Sequence, residues 1–142
     1  MLVKLDAVRR PPVFISESDK TRLASLLDRL DDDTTAATML GEEVDRATVV
    51  SDQSGKRFVR LGSRVEIETP HSGRTRIVRL AMPEETDIDR GDLSVLTLAG
   101  AALIGLREGA AFAWRGPQGR MQTIRVLRII DDGGGDYGPS AA

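Results

Sequence analysis

Three consecutive aspartates, Asp31-Asp32-Asp33, are the densest potential chemistry in this chain of 142 residues. Adjacent carboxylates can share a hard cation, because a divalent ion takes oxygen ligands and offsets their mutual repulsion. The plainer reading is a solvated turn, and composition favours it. Little else resembles a catalyst. The absence of Cys removes thiolate metal sites, thiol nucleophiles and disulfides together. His71, the single histidine, falls between Pro70 and Gly73 in a turn-forming stretch, and with no second His or Cys beside it a zinc centre is not expected. The run from Asp87 to Asp92 spaces its acids somewhat like a calcium loop. Its sixth position is Asp92 instead of the turn-making Gly, and its twelfth is Leu98 instead of a bidentate acid. No GxxxxGK[ST] phosphate loop occurs, and Gly133-Gly134-Gly135 precedes no helix. We therefore expect no enzyme, no cofactor and no resident metal.

Charge is distributed unevenly behind a net value of −2. Residues 16–47 hold nine acids against four bases, whereas residues 48–130 hold nine acids against thirteen bases. Such an acidic head on a basic body can orient a protein as it approaches a charged partner. Arg60, Arg64, Arg74, Arg76 and Arg79 cluster on a central hairpin, where they either face solvent or meet phosphate or acidic protein. Aromatics are few: three Phe, one Trp and one Tyr. That argues against a base-stacking platform, and Phe112 and Trp114, two apart on a strand, share one face and read as core. No apolar run approaches the ~18 residues that a membrane span needs, and the first ten residues lack a secretory core, so a soluble, cytoplasmic protein is expected.

The elements that would position these residues follow from spacing. Residues 1–15 end in Pro11-Pro12-Val13-Phe14-Ile15, an extended lead-in, since proline disfavours helix before it. Ser16-Glu17-Ser18-Asp19 supplies N-cap oxygens and acids for a first turn. Leu23, Leu26, Leu27 and Leu30 then mark one apolar stripe, giving a helix over 18–30. A second helix is expected over 35–47, with Ala37, Leu40, Val44 and Ala47 on one face. The polar turn between them makes an antiparallel helical hairpin over 16–47, with Asp31, Asp32 and Asp33 at its tip. At ~1.5 Å per residue it reaches only ~20 Å.

From residue 48 to 130 the period becomes strand-like. Strands are expected over 65–68, 75–80, 93–96, 110–115 and 121–130, with an acidic loop over 83–92 and a small apolar helix over 98–104 capped by Thr97 and closed by Gly105. Four or five antiparallel strands with one short helix make an α+β domain. Residues 131–142 read as a flexible tail.

The order of these segments resembles a known family. From Val49 onward the chain is similar to the C-terminal domain of the bacterial GreA/GreB transcript-cleavage factors. The residues that carry the likeness are Leu61-Gly62-Ser63-Arg64-Val65, Thr75-Arg76-Ile77-Val78 and, above all, the stretch from Leu93 to Gly109. The Ala-Ala-Leu-Ile-Gly-Leu run ending at Leu106, Trp114, and the opening Pro-Pro-Val-Phe-Ile-Ser-Glu-Ser-Asp followed by a short leucine helix look more like the Rnk branch, the regulators of nucleoside diphosphate kinase. Thr97-Leu98 stands where that family usually has Ser-Pro.

The resemblance implies an FKBP-like antiparallel sheet domain that docks at the rim of the RNA polymerase secondary channel, with the coiled coil entering it. In the cleavage factors a much longer coiled coil carries an acidic tip to the catalytic Mg²⁺. Their Asp-Leu-x-Glu-Asn tip is missing here, and carboxylates held short of a metal cannot coordinate it, because ligand distances must be near ~2.0–2.6 Å. The expected function is thus a non-catalytic regulator that occupies the channel and competes with related factors, in indirect contact with nucleic acid inside the transcription complex. By analogy Leu96, Leu98, Gly105 and Leu106 form its docking tip. A monomer is expected. Two other readings stand beside it. One is a true cleavage stimulator acting through Asp31, Asp32 and Asp33. The other is an FKBP-like isomerase or chaperone, for which only Phe58, Phe112 and Trp114 are on hand to line a pocket.

Overall fold

Two hydroxyl caps start the helical segment. The Ser16 hydroxyl accepts the Asp19 amide at 3.2 Å and opens α1 (Glu17–Arg29). Thr34 does the same for the Ala37 amide at 3.0 Å and opens α2 (Thr35–Arg46). Each oxygen satisfies a first-turn donor that has no partner inside its helix. Both helices lie within a residue of the bounds that spacing predicts. This computed structural model describes residues 10–31, 34–69 and 72–131, so Asp32, Asp33, His71 and the glycine-rich tail lie outside the described residues.

A short strand flanks each end of the helical segment. β1 (Phe14–Ser16) precedes α1, β2 (Thr48–Val50) follows α2, and the two pair in parallel with Phe14 opposite Thr48. Parallel strands require a crossover between them, and here the two helices are that crossover. The end of the extended lead-in, Phe14 and Ile15, is thus part of a strand with a partner. It is fastened on a second side as well, because the Phe14 amide donates to the Gly105 carbonyl at 3.2 Å.

The main sheet has the order β5-β4-β3-β7-β6, built from β3 (Arg64–Glu68), β4 (Thr75–Ala81), β5 (Asp92–Ser94), β6 (Ala111–Arg115) and β7 (Met121–Asp131). Three of its four pairings are antiparallel, but β4 and β5 run parallel, with Arg79 opposite Asp92. The sheet is therefore mixed, and the expectation of an antiparallel one is corrected. The physical reason lies in residues 82–91. Two 3₁₀ turns, Pro83–Glu85 and Ile88–Arg90, carry the chain back before β5 begins, where a tight hairpin would have reversed it.

The short helix α3 (Leu98–Leu103) is capped by Thr97, whose hydroxyl accepts the Gly100 amide at 3.0 Å. A Cβ at Gly100 would collide with the Ser94 carbonyl, so glycine is what lets α3 lie this close to the end of β5. Phe112 and Trp114 sit in the core as expected, with ring centroids 6.1 Å apart.

The helical segment does not stand apart from the sheet. Leu23, Leu26, Met39, Leu40 and Val44 belong to one continuous core with Val65, Leu80, Leu103, Leu106, Phe112 and Ile124, and α2 lies against α3. The helices expected as a hairpin over 16–47 thus share one core with the domain expected over 48–130. A stripe of four leucines on so short a helix has too much apolar area to leave in water, at ~25 cal/mol per Å², and the nearest apolar cover is the body.

Candidate functional site

The two ends of the helical segment have opposite characters. At the loop end Asp31 is exposed and bonds to no other described residue. At the strand end lies a polar joint. The Asp19 side chain, 7% exposed, accepts the Leu61 amide at 3.0 Å and so ties α1 to the segment before β3. Burial pushes its carboxyl above the ordinary value of 3.8, against the opposing pull of the Leu61 amide, Arg22 and Arg60. Asp52 closes the other side by accepting both the Ser18 amide at 3.1 Å and the Ser18 hydroxyl at 3.2 Å; the amide hydrogen bond leads in holding its pKa low. Arg60 completes the joint with its guanidinium 4.7 Å from the Phe58 ring and one amino group on the Asp52 carbonyl. Its Nε is buried without a hydrogen-bond partner among the described residues.

Further ties hold the same helices. Arg22 bridges to Glu85 at 3.1 Å, and the buried Glu43 is held by Arg46 at 2.7 Å and Arg10 at 3.8 Å. Arg46 also donates to the Pro11 carbonyl at 2.8 Å. Sequence spacing identified Ser16 and Asp19 as helix-start residues, which they are. It did not identify Asp19 as a long-range acceptor, since nothing local signals a partner 42 positions away.

The proposed docking residues separate into two pairs. Leu96 and Leu98 are half-buried, packed on the core with part of each side chain on the surface. Leu106 is fully buried, and Gly105, at φ +81°, lies under β1 so closely that a Cβ would meet Val13 and the Phe14 carbonyl. A side chain with no exposed area cannot itself form a contact surface. Gly105 is therefore the seat of β1 and Leu106 part of the core, while Leu96 and Leu98 are the pair that offers surface.

The five arginines of the central hairpin also divide. Arg79 is consumed by a two-pronged bond to Asp92, at 3.0 and 2.8 Å. Burial raises the Asp92 carboxyl, but Arg79, the Asp87 amide and Arg90 outweigh it and leave the pKa below its ordinary value. Arg60 belongs to the joint. Arg64, Arg74 and Arg76 are exposed and unpaired among the described side chains. Among the described residues no three His, Cys, Asp or Glu side chains group to hold a metal, and no helix is long and apolar enough to cross a membrane.

Residues 53–131, which hold the sheet, α3 and the Leu96–Leu98 surface, match the family described as transcription elongation factor GreA/GreB, C-terminal; residues 11–50 match the Rnk N-terminus. A regulator of nucleoside diphosphate kinase from Escherichia coli K12 is 31% identical over 94% of this chain and 95% of its own length. The chain belongs to the Rnk branch of the GreA/GreB transcription elongation factor family. GreA of Syntrophobacter fumaroxidans is 37% identical, but over only 56% of this chain and 49% of its own. The Thermus thermophilus protein named transcription inhibitor Gfh1 is 28% identical over 80% of this chain and 67% of its own. Among solved structures, the GreA/GreB elongation factor of Nitrosomonas europaea superposes with a TM-score of 0.66 at 28% identity, covering 84% of this chain and 98% of that one. Its likeness extends to the α+β architecture with helices on a mixed sheet. The Thr97-Leu98 departure from the family's Ser-Pro leaves the cap chemistry intact, because the Thr97 hydroxyl does what a serine would.

Proposed function

We propose that this protein is a non-catalytic regulator that binds RNA polymerase at the rim of the secondary channel and competes there with Gre-type factors. Family membership supports a role in transcription. The observation that carries the finer reading is the shortness of the helical segment together with its place in the common core. Thirteen residues of α1 rise ~20 Å, and α2 is spent partly on α3, so less than a helix length remains to extend past the body. An acidic tip delivered that short a distance does not meet a metal deep inside a partner, whatever its charge.

Docking itself would use Leu96 and Leu98 at the start of α3, within the stretch that matches the elongation-factor family. Covering the exposed part of these two apolar side chains with a partner would remove apolar area from water, which favours association. One relative is named a transcription inhibitor, which supports reading this chain as a regulator and not as a cleavage stimulator. Any link to nucleoside diphosphate kinase, named in the E. coli relative, would on this reading run through transcription. The test is a pull-down with core RNA polymerase, challenged by a long-hairpin cleavage factor. Mutual displacement is expected; simultaneous binding at saturating concentrations would refute the shared site.

A further inference from the structure

A concave pocket of about 390 Å³ opens beside β1, away from the loop end of the helices, lined by Phe14, Lys56, Arg57, Arg107 and Glu108. Three of its five lining residues are cations, against one acid. Lys56 and Arg107 make no ion pair with any described residue. Both instead rest on one ring, the Lys56 ammonium 5.4 Å and the Arg107 guanidinium 5.9 Å from the centre of Phe14. The ring is fixed from below by Phe58, at 5.9 Å. Gathering two cations around one ring costs mutual repulsion, which exposed cation–π contacts offset only in part. Arg57 is pinned beside them by a 2.6 Å bond to the Ile129 carbonyl. Glu108, 3.7 Å from Arg57, is itself engaged by the Ile129 amide at 2.7 Å and offers one partial counter-charge to three cations.

We propose that this pocket is an anion site that takes a linked pair of phosphoryl groups. Two features select that chemistry. The volume lies in the range of small-ligand sites, roughly 300–1,000 Å³, so the occupant is a compact anion seated in a hollow. Three cationic donors on two segments, the neighbours Lys56 and Arg57 facing Arg107, include two planar guanidiniums suited to two-pronged phosphate contacts; together they exceed what one phosphate can meet and match two joined ones. The source is either free diphosphate or the diphosphate moiety of a nucleotide. The inference does not depend on the polymerase reading, because its test needs only the protein itself.

The experiment follows backbone amide shifts of the full chain during titration with inorganic pyrophosphate, with a nucleoside diphosphate and an Asp-rich peptide as parallel arms and sodium chloride matched for ionic strength. Saturable shifts at Lys56, Arg57 and Arg107 are expected with pyrophosphate. Equal affinity for the nucleotide would name the nucleotide moiety as a source, and weaker nucleotide binding would name the free anion. The variant Lys56→Ala/Arg107→Ala should weaken binding about tenfold or more with an unchanged circular dichroism spectrum. Glu108→Gln, which keeps an acceptor for the Ile129 amide, should tighten it. Shifts reproduced by sodium chloride alone, a Glu108→Gln variant no tighter than the natural protein, or an Asp-rich peptide binding more tightly than pyrophosphate would each overturn the proposal.

Discussion

The strand end of the helical segment is tied to the body, whereas Asp31 at its loop end is exposed. At the strand end Asp19, Asp52 and Arg60 tie α1 to the body through backbone amides and carbonyls, and β1 and β2 pair beside them. At the loop end Asp31 bonds to no other described residue. Changes at the strand end should therefore be felt by the fold, and changes at Asp31 only by whatever partner meets it.

The largest expected effect tests whether the helices share the core at all. Leu23→Ala removes a fully buried side chain and should cost about 2–5 kcal/mol. Because Trp114 is the only tryptophan and lies on β6, its fluorescence follows the sheet while far-ultraviolet circular dichroism follows the helices. Both signals should shift together in urea; a helical transition that moves alone would separate the two regions after all.

Next comes the joint. Asp19→Ala leaves the Leu61 amide without its partner and should cost about 1–3 kcal/mol. Acid titration sharpens the point, because two buried carboxyls carry opposite signs. Asp19 has a raised pKa, so its favourable contribution is complete below pH 3.8 and is lost as pH rises through the folded value. Asp92 has a lowered pKa, so its contribution is present above pH 3.8 and is lost as pH falls through the folded value. Measured in urea across this range, Asp19→Asn should gain on the natural protein as pH rises, while Asp92→Asn should lose. The same sign for both would contradict the assignment of burial to one and arginine pairing to the other.

On the surface, Leu98→Asp should weaken polymerase binding about tenfold, equivalent to ~1.4 kcal/mol, with Leu96→Ala as a milder companion that keeps the fold. Unchanged affinity for both would remove α3 from the interface. The smallest effect belongs to the loop end: Asp31→Asn should change stability by no more than ~0.5 kcal/mol, and a larger loss of melting temperature would mean the turn is fastened.

Much of this was legible in the residues. The Leu23 stripe, the Thr97 cap and the alternation from Val65 onward predicted α1, α3 and the central strands to within a residue or two. Spacing finds β5, expected over 93–96, but not its parallel pairing, and it gives β1 only as an extended lead-in. Each of the two three-residue strands pairs in parallel with a partner that local spacing does not point to. The docking leucines show a second limit. The family resemblance assigns Gly105 and Leu106 to a docking tip but carries no information on which side chains face inward, and Leu106 is fully buried. Asp19 marks a third. An acid in a first turn is so well explained by the helix dipole that its distant bond to Leu61 leaves no trace in the sequence.

The account rests on reach, and the most direct measurement is RNA release from a backtracked polymerase complex. Adding this protein should liberate no short 3′ fragments, and pre-incubating it in excess should slow the release driven by a long-hairpin cleavage factor. Fragments released by this protein alone would contradict the account.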